Sequence, residues 1–263
     1  RFVDASEDTP NLYNTINCLT SIIDYYSVTG YEHLEEVITD CVNFIVEDFG
    51  VIYGQDDDAW IRYYPGQTHP TYNVNALTIS AFFRINMIFK RDIVSPILIS
   101  KLINNIVQNQ NDNGSWYYAL SKQGEWVDGF HTGFILESLS MVYSLHGDEF
   151  NIQDSLMSGI RYYVDNLFSK DGVPQYYPHE RFPIESQNCA QAIQTLANID
   201  QLGFDNTELL TKVIENVTAN LYKPEGYFIH KVGKFYKNKQ IYFRWSQTPM
   251  ILALLHAQEY LKK

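Results

Sequence analysis

Three side chains have the types and spacing for acid–base chemistry. Asp128 precedes His131 by three residues, which is one helical turn if both open the same helix. An imidazole titrates near neutrality, and a carboxylate within reach can orient it as a general base. Glu185 is a second carboxylate at an expected helix start. With Asp128 it has the composition of a glycosidase pair, although spacing along a chain does not separate inverting from retaining chemistry. Both acids also suit the positive end of a helix without any ligand, and Asp128 suits a helix cap. Glu137 stands inside an otherwise apolar segment, where a carboxylate must be paired or protonated.

Around these residues are groups suited to binding a sugar. Trp116, Trp126, Trp245 and Tyr177 offer flat apolar faces with polar edges. Asn75, Asn188 and Gln247 offer amides near expected helix starts. Arg181 and Arg244 offer forked donors for a carboxylate or phosphate, and Arg62 belongs to the same class of position. The competing readings are ordinary packing for the aromatics and ion pairing with loop acids such as Asp56–Asp58 or Glu180 for the arginines.

Other chemistries lack their signatures. There is no phosphate-binding glycine loop, no dinucleotide fingerprint, no nucleophile elbow and no zinc-protease motif. Cys18, Cys41 and Cys189 have no metal-ligand spacing, so no metal and no cofactor is expected. Asp56-Asp57-Asp58 lacks calcium-loop spacing and reads as a solvated loop. Asn113-Gly114-Ser115 and Asn216-Val217-Thr218 match glycosylation sequons, which are common by chance. The net charge of −12 argues against a nucleic-acid duplex or an anionic membrane as the main partner. No apolar run is long enough to span a membrane, and no secretory leader is visible at the start. Three unpaired cysteines fit a reducing, cytoplasmic location.

The elements that must position these residues repeat. A small residue followed by an apolar run recurs at Cys18, Ala76, Gly133, Ala190 and Thr248, in steps of 58, 57, 57 and 58 residues. Apolar inner helices are expected over 13–28, 73–90, 130–145, 186–200 and 245–261, and amphipathic outer helices over 31–49, 96–110, 151–168 and 206–222. Gly54, Gly114, Gly172 and Gly226 follow the outer helices as turn signals. Aromatic excursions come next, and those around Lys122-Gln123-Gly124 and Val232-Gly233-Lys234 read as β-hairpins. The pattern predicts a single all-α domain over 1–263. It is an (α/α) toroid of about five helical hairpins, an incomplete form of the six-hairpin ring, with short β-hairpin excursions. All inner-helix starts would then share one face, a funnel onto which Asn75, His131, Asn188 and Ser246 open, rimmed by Trp116, Trp126 and Tyr177.

Three segments carry a resemblance: GEWVDGFHTGFILESL (124–139), DGVPQYYPHERFPIESQNCAQAIQTL (171–196) and GKFYKNKQIYFRWSQTPMILALL (233–255). They resemble a family of bacterial proteins encoded in surface-polysaccharide gene clusters, over roughly the last two-thirds of the chain. Members often carry the label delta-aminolevulinic acid dehydratase. That enzyme is a β/α barrel with a Schiff-base lysine, which this helical pattern does not fit. The resemblance implies a toroid similar to those of polysaccharide lyases, unsaturated glucuronyl hydrolases and sugar epimerases, in a context of bacterial polysaccharide biosynthesis. The family's pattern usually has Asp where this chain has Glu185. The expectation is a carbohydrate-active protein that binds or modifies an acidic saccharide, with Asp128, His131 and Glu185 as acid–base groups. A non-catalytic interaction module is the alternative. A terpene or prenyl enzyme is disfavoured because its acidic metal motif is missing.

Overall fold

The computed structural model describes residues 8–199 and 202–262. They fall into two compact units. The first holds the chain up to Asn111 with Trp116–Trp126 and Met141–Ile152; the second holds Asp112–Ser115, Val127–Ser140 and the chain from Gln153 onward.

The helices follow the period. In the first unit are α1 (Leu12–Thr29), α2 (His33–Asn43), α3 (Tyr72–Phe89) and α4 (Pro96–Gln108). α5 (Gly129–His146) begins in the second unit, which also holds α6 (Gln153–Asn166), α7 (Ser186–Ile199), α8 (Thr207–Leu221) and α9 (Thr248–Leu261). The last residue of the expected helix 186–200 lies outside the described residues. α2 continues as a π-helical segment, Phe44–Gly50, and a π-helical turn, Phe243–Gln247, leads into α9. The turns that follow α4, α6 and α8 are made by glycines with a positive φ, Gly114, Gly172 and Gly226. In the first repeat that role falls to Gly50, not to the expected Gly54.

The expected inner helices are not equally enclosed. α3 and α7 bury residues on nearly every side. α1 buries only Leu12, Ile16, Leu19 and Ile23, and exposes Cys18. α9 buries Met250, Ala253 and Ala257, and leaves Ile251, Leu252 and Leu255 half-exposed. α1 packs on α2 and α3, and α9 mainly on α7, so each has neighbours around only part of its circumference.

The strands are short. β1 (Val51–Tyr53) and β2 (Ala59–Ile61) form an antiparallel hairpin in an excursion that the sequence presents as a loop. Its Asp56–Asp58 turn is not simply solvated. Asp57 pairs with Lys101, Asp58 accepts from the Asn105 amide at 2.6 Å, and the Asp56 carbonyl accepts from Gln108. The excursion at 116–126 closes through Tyr118 N–H to the Trp126 carbonyl (2.9 Å) and Ala119 N–H to Gly124 (3.2 Å), without a strand ladder. In the second unit β3 (Ile184–Glu185) pairs with β6 (Lys231–Val232), which pairs with β7 (Lys237–Asn238). β4 (Tyr222–Lys223) pairs with β5 (Tyr227–Phe228).

Two amides one position before the repeated small residue do the same work. The Asn75 side chain accepts from Ile61 N–H (2.8 Å) and donates to the Ile61 carbonyl (3.1 Å), clamping β2 onto α3. Gln247 does this to Phe228, accepting at 3.0 Å and donating at 2.6 Å. Each clamp satisfies both backbone groups of one excursion residue.

A buried polar layer joins α5 and α7. Glu137 Oε1 accepts from Gln191 Nε2 at 2.6 Å and from Thr195 Oγ1 at 3.0 Å. Tyr163 of α6 also bonds Thr195, and burial raises its phenol far above the ordinary range. Burial likewise pushes the Glu137 carboxyl up to about 8, against the opposing pull of Thr195 and Gln191.

Asn75→Ala is expected to lower stability by about 1–3 kcal/mol in urea denaturation, because the Ile61 peptide groups lose their partner while buried. For Glu137, a folded pKa raised from 4.5 to about 8 means that the native state holds a proton the unfolded chain releases. Its contribution is complete below about pH 4.5 and is lost as the pH rises through about 8. Glu137→Gln should therefore gain stability relative to the parent progressively from pH 5 to pH 8. Urea midpoints at three pH values in that window test this, and parallel profiles would refute it.

Candidate active site

The second unit gathers the acid–base residues at the starts of α5 and α7. Asp128 caps α5: its Oδ1 accepts the His131 backbone N–H at 2.8 Å. Its Oδ2 lies 2.6 Å from His131 Nδ1. One buried carboxylate thus ends the helix and holds the ring that follows. The Asp128 side chain is fully enclosed, while the imidazole keeps 20% of its surface accessible. With Nδ1–H directed at the carboxylate, Nε2 is the basic nitrogen. Phe130 packs edge-on against the imidazole at 5.1 Å.

Glu185 belongs to a second cluster that the sequence reading does not contain. The β3–β6 register sets Glu185 opposite Lys231 and brings His230 alongside. Glu185 Oε1 lies 3.8 Å from His230 Nε2, and Oε2 lies 3.4 Å from Lys231 Nζ. The His230 side chain is 9% accessible, and its Nδ1 is buried with no hydrogen-bond partner. Desolvation lowers the His230 pKa, Glu185 opposes that shift and Lys231 adds to it. The ring is therefore neutral near pH 7. Tyr242 packs edge-on against it at 4.9 Å, and Trp245 lies 5.1 Å from Tyr242. His230 and Lys231 sit in the excursion FIHKV, but only strand register shows that they reach Glu185.

Tyr177 links the two clusters electrostatically. Burial raises its phenol, and the charges of Asp128, Glu180 and Glu185 raise it further. Asn188, 1% exposed, presents both amide atoms without a partner, and it lies against Gly129, where a Cβ would come within 3.0 Å of its Oδ1. The second unit thus brings together Asp128, His131, Tyr177, Glu185 and Asn188, with Trp245 beside His230.

The remaining candidates are held otherwise. Arg181 forks onto Asp171 at 2.6 and 2.8 Å, and these bonds hold the Asp171 carboxyl well below the usual range. Gln247 clamps Phe228. Ser246 is buried and bonds Ser186 Oγ at 2.9 Å. Arg244 is exposed. In the first unit, Asn75 clamps Ile61, and Trp116 is buried with its indole N–H on the Ile106 carbonyl. Trp126 stacks on Tyr118 at 4.6 Å, nearly parallel. Arg62 donates to the carbonyls of Phe49 and Gln67. Among the described residues no group of three or more His, Cys, Asp or Glu side chains is arranged to hold a metal ion. No described helix is long and apolar enough to cross a membrane.

No protein-family model and no curated protein matches the sequence. Solved structures do match the fold. A sugar epimerase from a ruminal bacterium is similar with a TM-score of 0.75 at 14% identity, over 97% of this chain and 72% of that one. A GH76 α-mannanase from Bacteroides thetaiotaomicron gives 0.72 at 12% identity, over 96% and 70%. A possible GH105 member from Salmonella enterica gives 0.70 at 11% identity, over 98% and 73%. Identities this low establish the fold and nothing beyond it: the chain has the (α/α)-toroid fold, with short β-hairpins between its helices, as the sequence period predicts.

Proposed function

We propose that this chain is a carbohydrate-active protein that moves protons on a saccharide bound at the starts of α5 and α7. The observation that carries the reading is the buried Asp128 carboxylate holding Nδ1 of the partly accessible His131 ring. In that arrangement Nε2 takes a proton from the saccharide, and Asp128 stabilises the imidazolium that forms. The Glu185–His230 pair is a second proton carrier on a different element. Two imidazoles, each beside a carboxylate, suit removal of a proton at a carbon next to a sugar carbonyl and its return. This is epimerase- or isomerase-type chemistry, and one of the similar folds is a sugar epimerase. The unpartnered Asn188 amide is suited to a sugar hydroxyl, and Tyr177 and Trp245 are suited to ring faces. A hydrolase or lyase using Asp128 and Glu185 would draw on the same groups.

A second reading, that the saccharide is acidic, is favoured by Lys231 next to Glu185 and by Arg244 next to Trp245. Arg181 does not contribute, since Asp171 already engages its fork.

The experiment is incubation with neutral and uronate-containing mono- and oligosaccharides in D2O, followed by NMR. Deuterium is expected next to the carbonyl carbon of a processed sugar. His131→Gln should lower the rate at least a hundredfold while saccharide binding persists. If the saccharide is acidic, uronates bind better than neutral counterparts, and Lys231→Ala narrows the gap about tenfold. Full activity of His131→Gln overturns the acid–base assignment. Saccharide binding with no turnover at all favours the interaction-module alternative.

A further inference from the structure

The chain is acidic overall, but its charge is segregated. Residues 226–258 contain no Asp or Glu, while five of the nineteen Lys and Arg residues fall between 231 and 244. Lys231 faces Glu185, as described above. Lys234, Lys237 and Lys239 are exposed, on or beside the β6–β7 hairpin, and none of them pairs with a carboxylate among the described residues. The hairpin turn closes through Gly233 N–H to the Tyr236 carbonyl at 2.8 Å, and the Tyr236 ring lies over Gly233, where a Cβ would approach it at 2.1 Å. Phe235 is the outermost side chain of this turn and is 90% exposed, with Lys234 Nζ 5.3 Å from its ring centre. Beyond β7, Ile241 is 55% exposed in the connecting segment, and Phe243, the first residue of the π-helical turn, is 78% exposed.

A phenylalanine solvated at a hairpin tip and a second one in the turn that follows cost free energy in water, and lysines around them repel one another. Both penalties are relieved at one kind of surface, where negative charge overlies an apolar layer. We propose that the β6–β7 hairpin docks on an anionic lipid surface, with Phe235 and Phe243 entering the headgroup boundary and Lys234, Lys237 and Lys239 meeting the lipid phosphates. An anionic polymer would also match the lysines. Lipid is favoured because the exposed apolar groups include aliphatic Ile241 as well as aromatic rings, and an alkyl chain gains little from a sugar or phosphate backbone. The whole-chain charge of −12 does not oppose docking, because screening limits the interaction to charges within about 10 Å of the surface at 0.1 M salt.

The test is co-sedimentation of the whole chain with vesicles of phosphatidylcholine alone or mixed with phosphatidylglycerol. Binding is expected only to the anionic vesicles, and it should weaken as salt is raised. The triple variant Lys234→Gln, Lys237→Gln, Lys239→Gln should bind about a hundredfold more weakly. Phe235→Ser should weaken binding while keeping the salt dependence, and the indole of Phe235→Trp should shift its emission to the blue on anionic vesicles. All substituted positions are exposed, and circular dichroism checks the fold of each variant. Absence of vesicle binding at low salt, or undiminished binding of the triple variant, overturns the proposal. Retention on heparin or single-stranded DNA without vesicle binding also overturns it, and assigns the hairpin to an anionic polymer.

Discussion

The contact on which the candidate site depends is the one that Gly133 permits. A Cβ at that position would stand 2.7 Å from Gln191 Cγ and 2.8 Å from Thr195 Oγ1, closer than atoms pack. Without it, α7 lies close enough to α5 for both of those side chains to reach Glu137. One turn earlier, Gly129 allows the Gln175 carbonyl and the Asn188 amide the same approach, at 2.7 and 3.0 Å. Two glycines four residues apart on one helix face thus set the spacing between the Asp128–His131 pair and Asn188. An extra methyl at either position would overpack this seam, a fault that typically costs about 1–3 kcal/mol.

On that seam the electrostatics are layered. Glu137, enclosed among Tyr163, Gln191 and Thr195, keeps its proton near neutral pH and behaves there as a polar but uncharged group. Asp128, immediately before the helix, instead engages the His131 backbone N–H and ring nitrogen with its two oxygens. Nine residues after Asp128, on that helix, the surroundings of Glu137 exclude charge. The His131 imidazole is at the end of α5 where a carboxylate faces it.

The helices were legible because a 57–58 residue period is a long-range signal, repeated five times and insensitive to any single residue. The Asp128–His131 pair was legible for a related reason: three residues on a helix correspond to a known distance. The β3–β6 pairing was not, since two-residue strands carry no alternation and their partners lie 46 residues apart. His230 and Lys231 were missed with it. Arg181 has the chemistry of an anion ligand, but its fork closes on Asp171, ten residues away through a loop whose geometry spacing does not encode. The uneven burial of α1 and α9 was hidden too, because repeat position specifies a residue's place on its helix and not whether another helix lies beside it.

The repeat itself has a consequence for chemical capacity. The position before the small residue holds an amide in Asn75 and Gln247, and each amide braces the excursion that precedes it. The same position in the two intervening copies is filled by Thr132 and by Cys189, which clamp no excursion in this way; Asp128, His131 and Glu185 belong to those copies, whereas His230, the partner of Glu185, lies in the excursion that Gln247 braces. Bracing an excursion is therefore compatible with carrying a titratable side chain, as His230 does two residues from the clamped Phe228, and chemistry installed in the second copy must leave Ile61 its anchor on Asn75.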